Sequence, residues 1–232
     1  MMEIAGLVRT STVDFPGMIA AVVFTPGCNL DCFYCHNRQL LSADVPLMDN
    51  EEVIAYLKKR RGLIDGVVVS GGEPLLQQDL AVFLRQLKAW DYQIKLDTNG
   101  TCPDRLNALL KENLIDYVAV DYKAPWHRYP EICHCAAKTA GQVHRTLDLL
   151  LQTDLSWEAR TTVPAQLTEA DLLDMASALP PLPAYYLQIC RKPAVFKPED
   201  RFRLDAAGYT TGALLRLAEV IRSRQPHVQV RA

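Results

Sequence analysis

Short β-rich runs alternate with amphipathic helical stretches along most of the chain, and this alternation limits the fold more than any other feature. Strand-like runs cover Ala20–Thr25, Gly66–Ser70, Gln93–Asp97, Tyr117–Asp121, Ser156–Val163 and Tyr185–Cys190. Between them lie helical patterns at Asp49–Arg61, Gln77–Trp90, Pro103–Glu112, Gly141–Gln152 and Thr168–Leu179, with a last one at about Ala207–Arg224. Asp49 and Thr168 stand where N-caps should, each with acidic residues just after it. Strand–helix repeats of this length form right-handed βαβ units on a parallel sheet. The expected fold is therefore α/β, an open (β/α)6 partial TIM barrel, three-quarters of the full eight units. Residues 1–19 read as a short N-terminal extension with a β-hairpin-like segment. Residues 20–190 read as the core and 191–232 as a C-terminal helix and tail, all in a single domain, 1–232.

Composition narrows the function classes. The 232 residues are 49% apolar and 22% charged, which is enough to bury one large core. A formal net charge of -2 gives no basic footprint for nucleic acid or an anionic membrane surface. No apolar run is long enough to span a bilayer. Met1–Arg9 lacks the core and cleavage site of a signal peptide, so a cytoplasmic location is expected. Seven cysteines in such a chain point to metal binding or chemistry before disulfides.

The strands carry a second message. Alternate positions place Lys95 and Asp97 on one face, Asp121 in the same phase with Lys123 just beyond, and then Glu158, Arg160 and Thr162. The other face reads Ile94, Leu96, Val118, Val120, Trp157 and Ala159, a surface for packing helices. A closed barrel normally fills its interior with branched apolar residues. Three acids and three bases on one face instead suggest a ligand cavity whose charges pair with each other and with the ligand. The alternative is an internal salt-bridge network with no ligand.

Four motifs sit at strand ends. Cys28, Cys32 and Cys35 form C-x3-C-x2-C within eight residues. Three thiolates without a fourth leave one coordination position open, as in an iron–sulfur cube with one free iron. A zinc knuckle using His36 as fourth ligand is the rival, although zinc ligands usually come as two separated pairs. Tyr34 could cover a flat ligand beside the triad or simply pack the loop. Ser70-Gly71-Gly72-Glu73-Pro74 allows close backbone approach to a ligand ammonium group, with Glu73 adding charge. Asp97-Thr98-Asn99-Gly100 and Asp121-Tyr122-Lys123 bring carboxylates to neighbouring strand ends. Lys123 or a bound monovalent cation would neutralise them; Asp97 or Thr98 could instead cap the helix near Asp104. Cys102, Cys133, Cys135 and Cys190 read as unbridged thiols, and Cys133-His134-Cys135 lacks a second ligand pair for another metal. The segment Trp126–Thr139 reads as a surface loop, with partner contact as its alternative role.

Together these residues resemble the radical S-adenosylmethionine superfamily. Ser11-Thr12-Val13-Asp14-Phe15-Pro16-Gly17, Cys35-His36-Asn37, Asp97-Thr98-Asn99-Gly100 and Asp121-Tyr122-Lys123-Ala124-Pro125 resemble the activases of glycyl radical enzymes. Glu158-Ala159-Arg160-Thr161-Thr162-Val163-Pro164 and Leu187-Gln188-Ile189-Cys190-Arg191 are most similar to the activating protein of anaerobic ribonucleoside-triphosphate reductase. The resemblance implies that Cys28, Cys32 and Cys35 hold a 4Fe–4S cluster whose fourth iron binds S-adenosylmethionine. It implies cofactor contacts from Tyr34, Gly71, Gly72, Glu73, Asp97, Thr98, Asn99, Lys123 and Arg160. Asp97, Thr98 and Asp121 match the residues around a monovalent cation in pyruvate formate-lyase activases. The histidine those relatives carry after the last barrel strand is replaced here by the run Gln188–Arg191. The implied reaction is reductive cleavage to a 5′-deoxyadenosyl radical, which takes a hydrogen atom from a glycine of a partner enzyme. No side chain serves as general base. A flavodoxin or ferredoxin would be the electron donor. Rival readings are an activase of a pyruvate formate-lyase-type enzyme, a small-molecule or peptide-modifying radical enzyme, and a non-catalytic metal-binding module.

Overall fold

A computed structural model describes residues 1–42 and 44–231. The fold is α/β, an open and mostly parallel sheet of a partial TIM barrel, with eight strands ordered β1 to β8 as in the chain. The chain comprises two compact units. The first holds Met1–Asn29, Gln39–Thr98 and Cys102–Ala119; the second holds Leu30–Arg38, Asn99–Thr101 and Val120–Ala232.

The first unit contains β1 (Gly6–Ser11), β2 (Ala20–Thr25), α1 (Asn50–Lys59), β3 (Gly66–Gly71), α2 (Leu80–Lys88), β4 (Gln93–Thr98), α3 (Pro103–Lys111) and the start of β5 (Tyr117–Asp121). The extension holds one strand, β1, which pairs antiparallel with the core strand β2, Val8 opposite Val22, so the hairpin joins extension to core and does not lie within residues 1–19. Its turn is the Ser11–Gly17 motif. The Ser11 hydroxyl bonds Asp14 at 2.5 Å and accepts the Val13 and Asp14 N–H groups at 3.2 Å. Phe15 then drops into a core with Ala20, Val22 and Val68. β2 and β3 pair in parallel from Ala20–Gly66 to Thr25–Gly71, and β3 pairs β4 from Gly66–Gln93 to Val69–Leu96. Val67, Val68 and Val69 are all fully buried, as a parallel strand covered on both faces requires. Asp49 caps α1 by accepting the Glu51 N–H.

The second unit contains the end of β5, α4 (Tyr129–Cys133), α5 (Lys138–Leu151), β6 (Ser156–Val163), α6 (Glu169–Ser177), β7 (Tyr185–Ile189), α7 (Arg201–Leu204), α8 (Thr211–Ile221) and β8 (Val228–Arg231). β6 pairs β7 in parallel, Ala159 with Tyr185, and β7 pairs β8, Tyr185 with Val228. Thr168 and Asp171 close a reciprocal capping box on α6.

Two further expectations need correction. The parallel strands do not end at Tyr185–Cys190: β8 extends the sheet, four residues long and within the stretch expected to be a tail. The segment Trp126–Thr139 is not a simple surface loop. It holds a 3-10 turn and α4, and it buries Tyr129, Ile132 and Cys133. Trp126 stacks between Tyr122, at 4.6 Å between centroids, and Tyr129, at 5.8 Å, so aromatic area fixes the segment.

Candidate functional site

In the first unit, the loops after β2 and β3 lie against each other. Gly72 N–H donates to Thr25 O at 2.9 Å, and Glu73 N–H donates to Gly27 O at 2.8 Å. A β-carbon on Gly71, whose φ is +123°, would sit 2.3 Å from Thr25 N. One on Gly72 would sit 2.1 Å from Gly27 O. The glycine pair therefore admits the chain's own backbone at very short range. Cys28 follows directly, its N–H donating to Leu41 O at 3.3 Å.

Glu73 is completely buried. Its Oε1 accepts the Leu75 N–H at 3.0 Å and the Thr98 hydroxyl at 2.8 Å. Asp97 takes the Lys95 ammonium at 2.6 Å and the Ser70 hydroxyl at 3.4 Å. Neither Asp97 nor Thr98 caps α3, which starts from Cys102 without a side-chain cap.

In the second unit, Asn99 Oδ1 accepts both the N–H and the hydroxyl of Thr101, at 3.0 and 2.7 Å. Asp121 sits between two cations: Lys123 Nζ at 2.9 Å and Arg160 Nε at 3.1 Å. Burial pushes its carboxyl upward, but the two cations outweigh burial and hold it down at about 2. Lys123, penalised by burial, is nevertheless held well above the ordinary ammonium range by Asp121. Glu158 is fully buried and grips Arg231 of β8 with both oxygens, at 2.9 and 3.0 Å. The sequence reading missed Arg231. The alternation of Val228-Gln229-Val230-Arg231 is its signal, brief and close to the chain end.

The loop carrying Cys32 and Cys35 is held from several sides. Asp31 binds Arg38 at 2.5 Å and also Lys197. Burial raises the Asp31 carboxyl, but the Lys197 and Arg38 bonds prevail and lower it. Arg38 Nη1 donates to Cys32 O at 3.2 Å. Cys32 is buried, and a hydrogen bond from Cys133 lowers its thiol against the cost of burial, with help from Lys123. Cys35 rises through burial. The buried Tyr34 hydroxyl has no hydrogen-bond partner among the described residues. There too, no three His, Cys, Asp or Glu side chains are grouped as ligands of one metal ion, and no disulfide is present. Cluster thiolates each take a different iron. A donor set of three thiols, with the thiolate of Cys32 favoured, fits a cluster.

Residues 22–179 match the Radical SAM superfamily. The chain belongs to that superfamily. Within it, the chain is 34% identical over 207 residues to a Methanocaldococcus jannaschii protein named as a glycyl-radical enzyme activating enzyme, covering 86% of this chain and 82% of that one. This extent makes it a radical SAM enzyme of the glycyl-radical activating family, and the family implies an iron–sulfur cluster and S-adenosylmethionine. The pyruvate formate-lyase-activating enzyme of Staphylococcus epidermidis is 37% identical over 98 residues, 39% of each chain. Among solved structures, SuiB of Streptococcus suis superposes with a TM-score of 0.65 at 12% identity, over 91% of this chain and 48% of that one. A domain of a pyruvate-formate lyase-activating enzyme from Bacteroides vulgatus gives 0.55 at 12%, over 72% and 99%. These structural likenesses support the fold alone.

Proposed function

We propose that this radical SAM enzyme activates a glycyl radical partner, with anaerobic ribonucleotide reductase as that partner. The observation that carries the reading is the open triad Cys28, Cys32 and Cys35, in a chain similar along most of its length to an activating enzyme. When bound, a 4Fe–4S cluster and S-adenosylmethionine supply the one-electron chemistry that ends with a hydrogen atom leaving a glycine. The chain's residues bind and orient. Cys28, Cys32 and Cys35 hold three irons. Gly71, Gly72 and Glu73 offer carbonyl and carboxylate oxygens to an ammonium group. Lys123 and Arg160 offer cations to a carboxylate or ribose. Asp97, Thr98 and Asn99 serve the methionine or ribose portion, and Tyr34 the adenine.

A monovalent cation at Asp97, Thr98 and Asp121 has weaker support. Lys95 already neutralises Asp97, Lys123 and Arg160 neutralise Asp121, and the Thr98 hydroxyl is turned to Glu73. No helix among the described residues is long and apolar enough to cross a membrane. With unbridged cysteines this suits cytoplasmic work as a single radical SAM domain, 1–232, reduced by a flavodoxin or ferredoxin.

Anaerobically reconstituted protein with reductant is expected to yield 5′-deoxyadenosine, and Cys32→Ala to yield none. Electron spin resonance of mixtures with candidate partners should show a glycyl radical only with the true one. Consumption of a small molecule without any protein radical would sink the activase assignment. A radical on a pyruvate formate-lyase-type enzyme, and none on the reductase, would move the partner.

A further inference from the structure

The stretch 30–37, which carries Cys32 and Cys35, has neither helix nor strand. Without a backbone ladder, such a segment keeps its shape only through the contacts that other groups make to it. Two of those contacts come from far down the chain, from the stretch that runs from Lys197 into α7. Lys197 Nζ bonds Asp31 Oδ2, on the residue just before Cys32. Arg38 holds the other oxygen of the same carboxylate at 2.5 Å and reaches Cys32 O at 3.2 Å. Phe33, the residue just after Cys32, is only 1% exposed. Its ring meets Tyr34 edge-on at 5.1 Å, and the Arg203 guanidinium lies over it, 5.2 Å from the centroid. Arg203 is itself fixed: Nη1 meets His134 Nε2 at 3.0 Å, and its carbonyl accepts the Gln166 side-chain amide at 3.0 Å. Neither Lys197 nor Arg203 belongs to any of the four strand-end motifs.

We propose that Lys197 and Arg203 are positioning residues that strap down the loop of Cys32 and Cys35 and slow the loss of iron from a cluster held there. Iron held by thiolates escapes when the segment that carries them swings away, and each contact that must break first makes the open form rarer. The two cations act on either side of Cys32, one through Asp31 and one through Phe33. The Lys197 and Asp31 side chains are 40% and 35% exposed, and an ion pair so exposed adds little to the stability of a whole domain. On a short segment without a ladder the same pair governs local opening. The inference rests on the reading of Cys28, Cys32 and Cys35 as cluster ligands.

The test times iron loss to excess ferrozine from reconstituted wild type, Lys197→Ala, Lys197→Arg and Arg203→Ala. Hydrogen exchange is mapped on the same four proteins. Equal iron and sulfide content is expected at the start. The two alanine variants should release iron roughly fivefold faster, the upper reach of an exposed ion pair or a cation–π contact. Their exchange should quicken in residues 30–38 and stay unchanged in β6 and β7. Lys197→Arg keeps the charge and should stay within about twofold of wild type. In an Asp31→Asn background, Lys197→Ala should add almost nothing, because the pair is already broken. Release at the wild-type rate by either alanine variant overturns the proposal, as does an arginine variant as fast as alanine at 197. Faster exchange spread through β6 and β7, or loss of fold, would make the cations general stabilisers and also overturns it. A wild-type protein that takes up no cluster fails the cluster reading itself, and this inference falls with it.

Discussion

Gly72 has room for a hydrogen atom and nothing larger. A methyl group there would stand 2.1 Å from Gly27 O, which is backbone and cannot swing aside. Gly72→Ala is expected to cost about 3 kcal/mol, through strain that separates the Thr25–Gly27 and Gly72–Glu73 segments. Urea titration checks this; an unchanged midpoint would mean that the two loops separate freely. Asp121 makes a prediction of opposite character. Its folded pKa of about 2 lies below the ordinary 3.8, so its stabilisation is complete above about pH 4 and is lost as pH falls through 2. The loss is about 2 kcal/mol at most, since the side chain is partly open to solvent. Wild type should therefore lose more stability than Asp121→Asn between pH 4 and 2. Parallel curves would show that the two cations do not act on this carboxylate. The residue types at both positions were readable from sequence, but their contacts were not. Paired glycines announce close approach without saying to what, and the answer at this pair includes the chain's own backbone.

At the scale of elements, the alternation of polar and apolar strand positions was legible because side chains alternate strictly along a strand. It paired Lys95 with Asp97, whose charges meet at 2.6 Å, although Lys95 is buried as deeply as its apolar neighbours Ile94 and Leu96. It could not show that Glu158 pairs with Arg231, 73 residues later on a strand too short to announce itself. Arg231→Met is expected to destabilise by about 3 kcal/mol, because it takes the bidentate arginine from a carboxylate that has no exposed surface. A combined Glu158→Gln, Arg231→Met variant should recover part of the loss. Thermal unfolding of the two variants decides the matter, and equal stability of wild type and the single variant would show the pair to be dispensable. The Ser11–Gly17 motif teaches a related lesson. It served as a mark of resemblance, and its residues build a hairpin turn and anchor Phe15 in the core.

At the scale of the whole molecule, the α/β class, the strand–helix alternation behind the mostly parallel sheet and the C-x3-C-x2-C spacing were legible in sequence alone. Each depends on short-range information: hydrophobic period, cap residues and cysteine spacing within eight positions. Tertiary structure decided which cation each buried acid received, that β8 extends the sheet, and that α4 brings Cys133 to Cys32. These pairings join residues from 39 to 101 positions apart. No local period encodes them. A buried charge takes whatever partner the packed chain places beside it, because leaving it unpaired away from water costs several kcal/mol.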